Sequence, residues 1–141
     1  EVLTLGKDAT IVACGPMVYT ALQAASALWQ KHKIAAEVIN SHTIKPLDGR
    51  TILRSVKKTR AVVCAEEHQV SGGLGSAVAE YLGQHYPVPM RFIGMPDSFG
   101  ESGEADELLR KYGLTAERII GAVLEIVKKY KFKKMSSRAS A

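Results

Sequence analysis

The sequence lacks any apolar run close to the roughly 18–20 residues that a membrane-spanning helix requires. Its first residues also lack the layout of a secretory signal peptide, in which basic residues precede an apolar stretch. Cysteine is scarce: only Cys14 and Cys64 occur, and both fall in apolar, strand-like segments. Free buried thiols suit a reducing compartment better than a disulfide or a metal pair would. We therefore expect a cytoplasmic protein with no membrane partner.

Acidic residues are missing from one end of the chain, and this accounts for the net charge of +5. Six basic residues and no acidic ones lie between Lys128 and Arg138, so the rest of the chain holds 13 basic against 14 acidic residues. A nucleic-acid-binding protein needs a basic face on the fold itself, whereas a basic helix end is commonly solvated. We therefore expect no nucleic-acid partner.

Apolar β-branched segments alternate along the chain with segments whose apolar residues recur at helical spacing. Strands are predicted at residues 2–5, 9–14, 36–40, 61–65 and 90–94, and helices from Pro16, Gly49, Leu74, about Leu108 and Ala116. This alternation implies βαβ crossovers, a mostly parallel sheet and helices on both of its faces. The predicted fold is a three-layer α/β/α domain.

Local signals refine this prediction at the helix ends. Asp48 and Thr115 are predicted N-caps, and Gly113 is predicted to end the short helix before the last one. The apolar stripe of the first helix, from Val18 to Trp29, is expected to face the core.

We expect one domain over residues 1–130 and a basic, disordered tail over residues 131–141, because the last residues are of low complexity. A loop rich in Pro, Gly, Ser and Asp is predicted over residues 95–103. The chain begins at Glu1, without methionine and almost directly at a strand, which is expected of a piece of a longer protein.

The best candidate site follows the 61–65 strand, where polar residues meet a glycine-rich turn and a helix N-terminus. The candidates are Glu66, Glu67, His68, Gly72, Gly73, Gly75 and Ser76. A helix N-terminus at the carboxyl end of a strand attracts anions, but Glu66 and Glu67 would repel a phosphate there. Close strand-to-helix packing, at a corner that faces a subunit interface, is therefore favoured over anion binding.

Other chemistry is not supported by the motifs. Gly73 and Gly75 match the start of a dinucleotide-binding fingerprint, but Val78 stands at its third glycine, and no P-loop occurs. The histidines lack ligand spacing to any cysteine or carboxylate, and a nucleophile elbow is missing. We therefore predict no catalytic residue and no metal ligand in this chain.

Three segments together carry a family resemblance. They are Thr43-Ile44-Lys45-Pro46-Leu47-Asp48, Glu66-Glu67-His68 with Gly72 to Val78, and Glu107-Leu108-Leu109 with Tyr112-Gly113-Leu114. In order and spacing they resemble the C-terminal domain of transketolase-family, thiamine diphosphate-dependent enzymes, from about residue 2 to residue 129. Transketolase and its split C-terminal subunit are most similar. Deoxyxylulose-5-phosphate synthases are the nearest alternative, and beta subunits of 2-oxo-acid dehydrogenases are more distant.

The resemblance implies a five-stranded mixed sheet whose first strand is antiparallel. It implies a parent transferase of pentose phosphate metabolism that moves ketol units between sugar phosphates. The parent would be a homodimer, and its other domains would hold thiamine diphosphate and Mg²⁺. This fragment would bind no cofactor and would be inactive by itself. Its role would be in dimer packing, stability or regulation.

Two other interpretations of the function of this chain remain open. One is a free-standing anion- or nucleotide-binding module built on the turn at residues 72–76. The other is a platform that docks an acyl-carrier partner through the basic residues 128–141.

Overall fold

The computed structural model describes residues 1–96 and 104–139. Its strands are β1 (Val2–Thr4), β2 (Ala9–Ala13), β3 (Ala36–Asn40), β4 (Val62–Gln69) and β5 (Met90–Met95). Its helices are α1 (Met17–His32), α2 (Gly49–Thr59), α3 (Leu74–His85), α4 (Ala105–Lys111) and α5 (Ala116–Ala139). Most of the loop predicted at residues 95–103 lies outside the described residues.

The strands form one mixed sheet in the order β1-β3-β2-β4-β5. β1 runs antiparallel to β3, and the pairs β3–β2, β2–β4 and β4–β5 are parallel. The expectation of a five-stranded sheet with an antiparallel first strand is confirmed. β4 and β2 are central, so the carboxyl end of β4 lies between the ends of its neighbours.

Two apolar cores, one on each face of the sheet, give the domain its three layers. Successive strand residues point to opposite faces, so Ile11 packs with α1 and α5 whereas Val12 packs with α2 and α3. Val63 and Cys64 divide between the two cores in the same way. The predicted α/β/α architecture is therefore confirmed. Among the described residues, no helix combines the length and apolar character that crossing a bilayer requires.

The structure differs from the sequence-based expectations at three places. Cys14 follows the last residue of β2 and is only half-buried. Trp29, in the stripe of α1 that is expected to face the core, is 54% exposed and lines a groove at the β1 edge of the sheet. α5 continues through residues 131–139, where the sequence predicts a disordered tail. The boundary at residue 130 between the domain and a tail stays a prediction.

The helix ends follow the local signals in the sequence. Asp48 caps α2, since its Oδ1 accepts the Thr51 N–H at 3.2 Å and its Oδ2 accepts the Thr51 hydroxyl at 2.7 Å. The Thr115 hydroxyl accepts the Arg118 N–H at 3.4 Å at the start of α5. Gly113 has φ +69°, as expected for the residue that ends α4. These three predictions are confirmed.

Replacing Asp48 by alanine should lower the free energy of unfolding by about 1 kcal/mol, because the first turn of α2 loses its cap. Asp48→Asn should retain most of the stability that the cap contributes, since an amide oxygen still accepts the Thr51 N–H. The Thr51 hydrogen bonds lower the pKa of the Asp48 carboxyl. The contribution of the Asp48 carboxylate to the free energy of unfolding is therefore complete above the pKa that Asp48 has in the unfolded chain. This contribution is lost as the pH falls through the lower pKa of the folded state.

Urea denaturation at neutral and acidic pH measures the effect of Asp48. Lys57→Ala, at an exposed position near the end of the same helix, is the control. Equal stability of the Asp48→Ala and Lys57→Ala variants at neutral pH would contradict the capping role.

Candidate functional site

The candidate site lies where β4 ends and the chain turns into α3. Along β4, Glu66 is buried, with 1% of its surface exposed, Glu67 is half-buried, and His68 is exposed. The ladder to β5 is irregular here, since Ala65 pairs with Ile93 but Gln69 pairs with Met95. Such a bulge bends the strand and re-aims its side chains. As a result, the carboxylates of Glu66 and Glu67 and the imidazole of His68 differ in their exposure to solvent.

The Glu66 carboxylate caps α3. Its Oε1 accepts the Leu74 N–H at 2.9 Å and its Oε2 accepts the Gly75 N–H at 2.7 Å. Gly73, the residue that precedes the helix, has no side chain with which to cap it. The first N–H groups of a helix have no partner inside the helix and carry partial positive charge. These two hydrogen bonds therefore give both buried carboxylate oxygens a donor and give the first N–H groups of α3 an acceptor.

Two more backbone donors of the glycine turn, the Gly72 and Gly73 N–H groups, are also engaged within the domain. The Gly72 N–H donates to the Ser76 hydroxyl oxygen at 3.0 Å, and the Gly73 N–H donates to the Val70 carbonyl at 3.4 Å. The Ser76 hydroxyl in turn donates to the Val70 carbonyl at 2.9 Å. An external anion would have to displace Glu66 from the helix and break these bonds.

The glycines around Glu66 are where a side chain would collide with the cap or its supports. A Cβ at Gly73 would collide with Glu66 Oε1, and a Cβ at Gly75 would lie 2.6 Å from Phe92 Cδ1. A Cβ at Gly94, on β5, would lie 2.7 Å from Val70 Cγ2. Gly72 has open space but φ +78°, which L side chains rarely adopt. The glycine pattern therefore fits the burial of one carboxylate.

The structure thus brings together five of the seven candidates, Glu66, Gly72, Gly73, Gly75 and Ser76, in one hydrogen-bonded corner. Glu67 and His68 continue along β4 toward solvent. The three polar side chains at the strand end do not share one environment, so they do not assemble a common proton-transfer site. The predicted roles in anion binding or at an interface stay predictions.

The two thiols nearest the site are held in their protonated form. Burial, and then the negative charges of Glu66 and Glu67, raise the pKa of the Cys14 thiol. Burial, followed by the negative charge of Glu66, raises the pKa of the Cys64 thiol strongly. Because the thiolate is the nucleophile and the metal ligand, neither cysteine is prepared for such chemistry.

A second polar cluster, not predicted from the sequence, lies under α2. Glu37 is 4% exposed and accepts hydrogen bonds from the Lys58 ammonium and, at 3.2 Å, from the Gly6 N–H. Although burial raises the pKa of the Glu37 carboxyl, the hydrogen bonds from Lys58, Ser55 and Gly6 outweigh it, so the pKa is lowered. The only signal in the sequence is a charged residue inside the strand Ala36–Asn40.

Hydroxyl groups extend this cluster across the sheet. The Thr10 hydroxyl lies 2.7 Å from the Ser55 hydroxyl and 2.6 Å from the Thr59 hydroxyl, and all three residues are buried. Over residues 1–96 and 104–139, every fully buried side-chain nitrogen or oxygen whose surroundings are described has a hydrogen-bond partner. The cluster is therefore a satisfied structural network that ties α2 to β2 and β3.

The described residues do not offer a metal centre. No three His, Cys, Asp or Glu side chains gather closely enough in this part of the chain to hold an ion. Glu66 and Glu37, the two buried carboxylates, are both committed to donors of the domain itself.

The family described as "Transketolase, C-terminal domain" matches residues 1–119. The chain belongs to the transketolase C-terminal domain family. The three segments that carried the resemblance form the entry to α2, the corner between β4 and α3, and α4 with the turn after it. In this transketolase C-terminal domain the segments therefore mark helix ends and packing corners.

The chain is similar to longer proteins. It is 50% identical over 133 residues to a 6-deoxy-6-sulfo-D-fructose transketolase subunit of Clostridium sp. (strain MSTE9), covering 94% of this chain and 41% of that protein. It is 46% identical over 127 residues to a 1-deoxy-D-xylulose-5-phosphate synthase of Pelotomaculum thermopropionicum, covering 89% of this chain and 20% of that protein.

A solved structure supports the same assignment. The chain superimposes on a split gene transketolase, an inactive beta4 tetramer, with a TM-score of 0.83 and 48% sequence identity. The match covers 91% of this chain and 41% of that one. This transketolase C-terminal domain therefore spans well under half the length of the proteins it matches.

Removing the buried carboxylate should destabilise the domain strongly. Glu66→Gln keeps the shape but places an amide NH₂ toward one of two backbone donors, and Glu66→Ala leaves both donors buried without an acceptor. We expect Glu66→Ala to lower the free energy of unfolding by about 3 kcal/mol and Glu66→Gln by about 2 kcal/mol. Glu67→Gln, at the half-buried neighbouring residue, should cost less than about 0.5 kcal/mol. Urea denaturation of the three variants measures this, and equal losses at both positions would refute the capping role.

Alanine substitutions at three glycines should give three different results. Gly73→Ala should cost about 3 kcal/mol, because its Cβ collides with the Glu66 carboxylate. Gly72→Ala should cost about 1 kcal/mol through backbone strain alone. Gly83→Ala, in α3 with open space around its Cβ, should stabilise by about 0.5 kcal/mol. Thermal denaturation ranks the variants, and a Gly73→Ala protein as stable as Gly72→Ala would contradict the close approach of Glu66.

Proposed function

We propose that this chain is the C-terminal part of a larger transketolase-type enzyme, in which it supports subunit packing and stability. The observation that carries the proposal is the family match over residues 1–119 in a chain that spans 41% of a 50%-identical transketolase subunit. By this proposal, the domain associates with the remaining domains or subunit of the parent, and the assembled enzyme is a homodimer.

The hydrogen bonds made within the domain at the carboxyl end of β4 support a structural role. In open α/β sheets, ligands bind at the carboxyl ends of the strands, where helix N-termini supply donors. In this domain the N-terminus of α3 already binds Glu66, and burial raises the pKa of Cys64. At the end of β4, the helix N-terminus and the Cys64 thiol, which could otherwise bind or attack a ligand, are thus occupied or protonated within the fold.

We assign thiamine diphosphate and a divalent metal to other domains of the parent. Mg²⁺ bound with a diphosphate is held by one or two protein carboxylates together with phosphate oxygens and waters. Among the described residues, no three His, Cys, Asp or Glu side chains gather around one point, and the two buried carboxylates accept hydrogen bonds from the domain itself. The residues present therefore do not fit the cofactor, and no step of its chemistry is assigned to them.

By this proposal, the parent is a cytoplasmic transferase of pentose phosphate metabolism that moves ketol units between sugar phosphates. The unpaired cysteines Cys14 and Cys64 are compatible with a reducing compartment. A deoxyxylulose-5-phosphate synthase is the second candidate, because one such protein is 46% identical to this chain. The two candidates share the role proposed for this domain and differ in the reaction of the rest of the protein.

Isothermal titration with thiamine diphosphate and Mg²⁺ tests the proposal on two proteins, the 141-residue chain and the complete product of its gene, the latter assembled with its partner subunit if the parent is divided into two chains. We expect no saturable binding to the chain and binding to the assembled complete product, which should also transfer ketol units between sugar phosphates. Formation of 1-deoxy-D-xylulose 5-phosphate by the complete product would favour the synthase instead. Tight binding of the cofactor by the 141-residue chain would overturn the structural role.

A further inference from the structure

Two of the most exposed apolar side chains of the domain lie together at the β1 edge of the sheet. Six large apolar side chains are exposed among the described residues: Val2, Leu3, Leu5, Tyr19, Trp29 and Phe92. Leu5, which follows β1, and Trp29, on α1, line the same groove, whereas Phe92 lies at the opposite edge of the sheet, on β5. Exposed apolar side chains that share a groove mark a contact surface more than isolated ones do.

A groove lies between β1 and α1 at this edge. Its volume is about 230 Å³, and its lining includes Leu5, Leu22, Ala25, Trp29 and Ala35. Leu5 is 83% exposed and Trp29 is 54% exposed, so the largest apolar groups of the groove face solvent. The groove is therefore an apolar site of a size suited to one or two inserted side chains.

A positive charge lies at the Trp29 end of the groove. The Lys33 ammonium is 5.5 Å from the centre of the Trp29 ring. The backbone of the exposed residue Lys7 also lies beside the groove, since its N–H donates to the Ala35 carbonyl at 3.0 Å. The nearby Asp8 carboxylate accepts the Ala35 N–H at 2.8 Å and is thus engaged within the domain. A segment with acidic residues beside its apolar side chains complements this rim.

We propose that the groove between β1 and α1 is the docking site for the polypeptide that precedes this domain in its parent enzyme, through an apolar side chain flanked by acidic residues. The inference rests on the proposed function. In a transketolase subunit like the relative of which this chain spans 41%, the remaining polypeptide joins a C-terminal domain at its amino end. That end lies at β1, the strand that borders the groove.

Charge favours this occupant over a second copy of the domain. A two-fold contact places the same patch on both partners. Two such grooves facing each other would bring two Lys33 ammonium groups, one beside each Trp29 ring, into one interface, and like charges oppose association. A preceding domain with acidic residues at the contact avoids this cost.

Hydroxyl-radical footprinting with mass spectrometry tests the proposal, because Trp29 is the single tryptophan of this chain. The 141-residue chain is compared with the complete product of its gene. We expect oxidation of Trp29 to be about five-fold slower in the complete product, since a docked segment excludes water from the ring. An equal rate in the two proteins would overturn the proposal. Protection of Trp29 that appears in the 141-residue chain as its concentration rises would overturn it in favour of a second copy.

A matched pair of variants of the complete product separates docking from a general change in the protein. Leu5→Asp adds one negative charge in the groove, and Gln84→Asp adds the same charge on an exposed position of α3, across the sheet. Leu5→Asp should return the oxidation rate of Trp29 to that of the 141-residue chain, and Gln84→Asp should leave it slow. Circular dichroism of both variants of the 141-residue chain controls for folding.

The test is separate from that of the proposed function, since footprinting does not measure catalysis. A complete product that protects Trp29 but does not transfer ketol units would support the docking site and contradict the transketolase activity. An active transketolase with an unprotected Trp29 would support the activity and overturn the docking site.

Discussion

The buried carboxylate of Glu66 at the N-terminus of α3 is the interaction on which the arrangement of this domain depends. A carboxylate removed from water is costly unless donors surround it, and the Leu74 and Gly75 N–H groups supply two at 2.9 and 2.7 Å. The bulge in β4 and the glycine at position 73 allow the two groups to meet. The direction in which α3 leaves the sheet is therefore fixed by an electrostatic contact as well as by apolar packing.

The second buried carboxylate follows the same principle at the opposite end of the strands. Glu37 is paired with Lys58, and the adjoining hydroxyl groups of Thr10 and Ser55 bond across from β2 to α2. Both carboxylates lie on the face of the sheet that α2 and α3 cover. That face combines an apolar core with two specific polar contacts, and specific contacts fix the position of a helix more narrowly than apolar burial alone.

Periodicity and capping signals in the sequence predicted most of the fold, whereas contacts between distant residues could not be predicted. Asp48 caps a helix one residue away, so its role can be deduced from neighbouring letters. Glu66 caps a helix that begins eight residues later, and the bulge that aims it has no sequence signature. Trp29 belongs to an apolar stripe, but it lies over the edge of the sheet, a position that depends on the packing of α1 against distant strands.

The same constraint that orders the β4–α3 corner also limits what the domain can do there. A glycine turn before a helix is a common anion site only while its N–H groups are free, and here Glu66, Ser76 and Val70 accept from the turn. The two thiols close by are kept protonated by burial and by the charge of Glu66. At the carboxyl end of β4, the Glu66 carboxylate and the Cys64 thiol are thus turned inward, whereas Leu5 and Trp29 are turned outward at the β1 edge. This arrangement supports the proposal that the domain acts through contact with other parts of a larger protein.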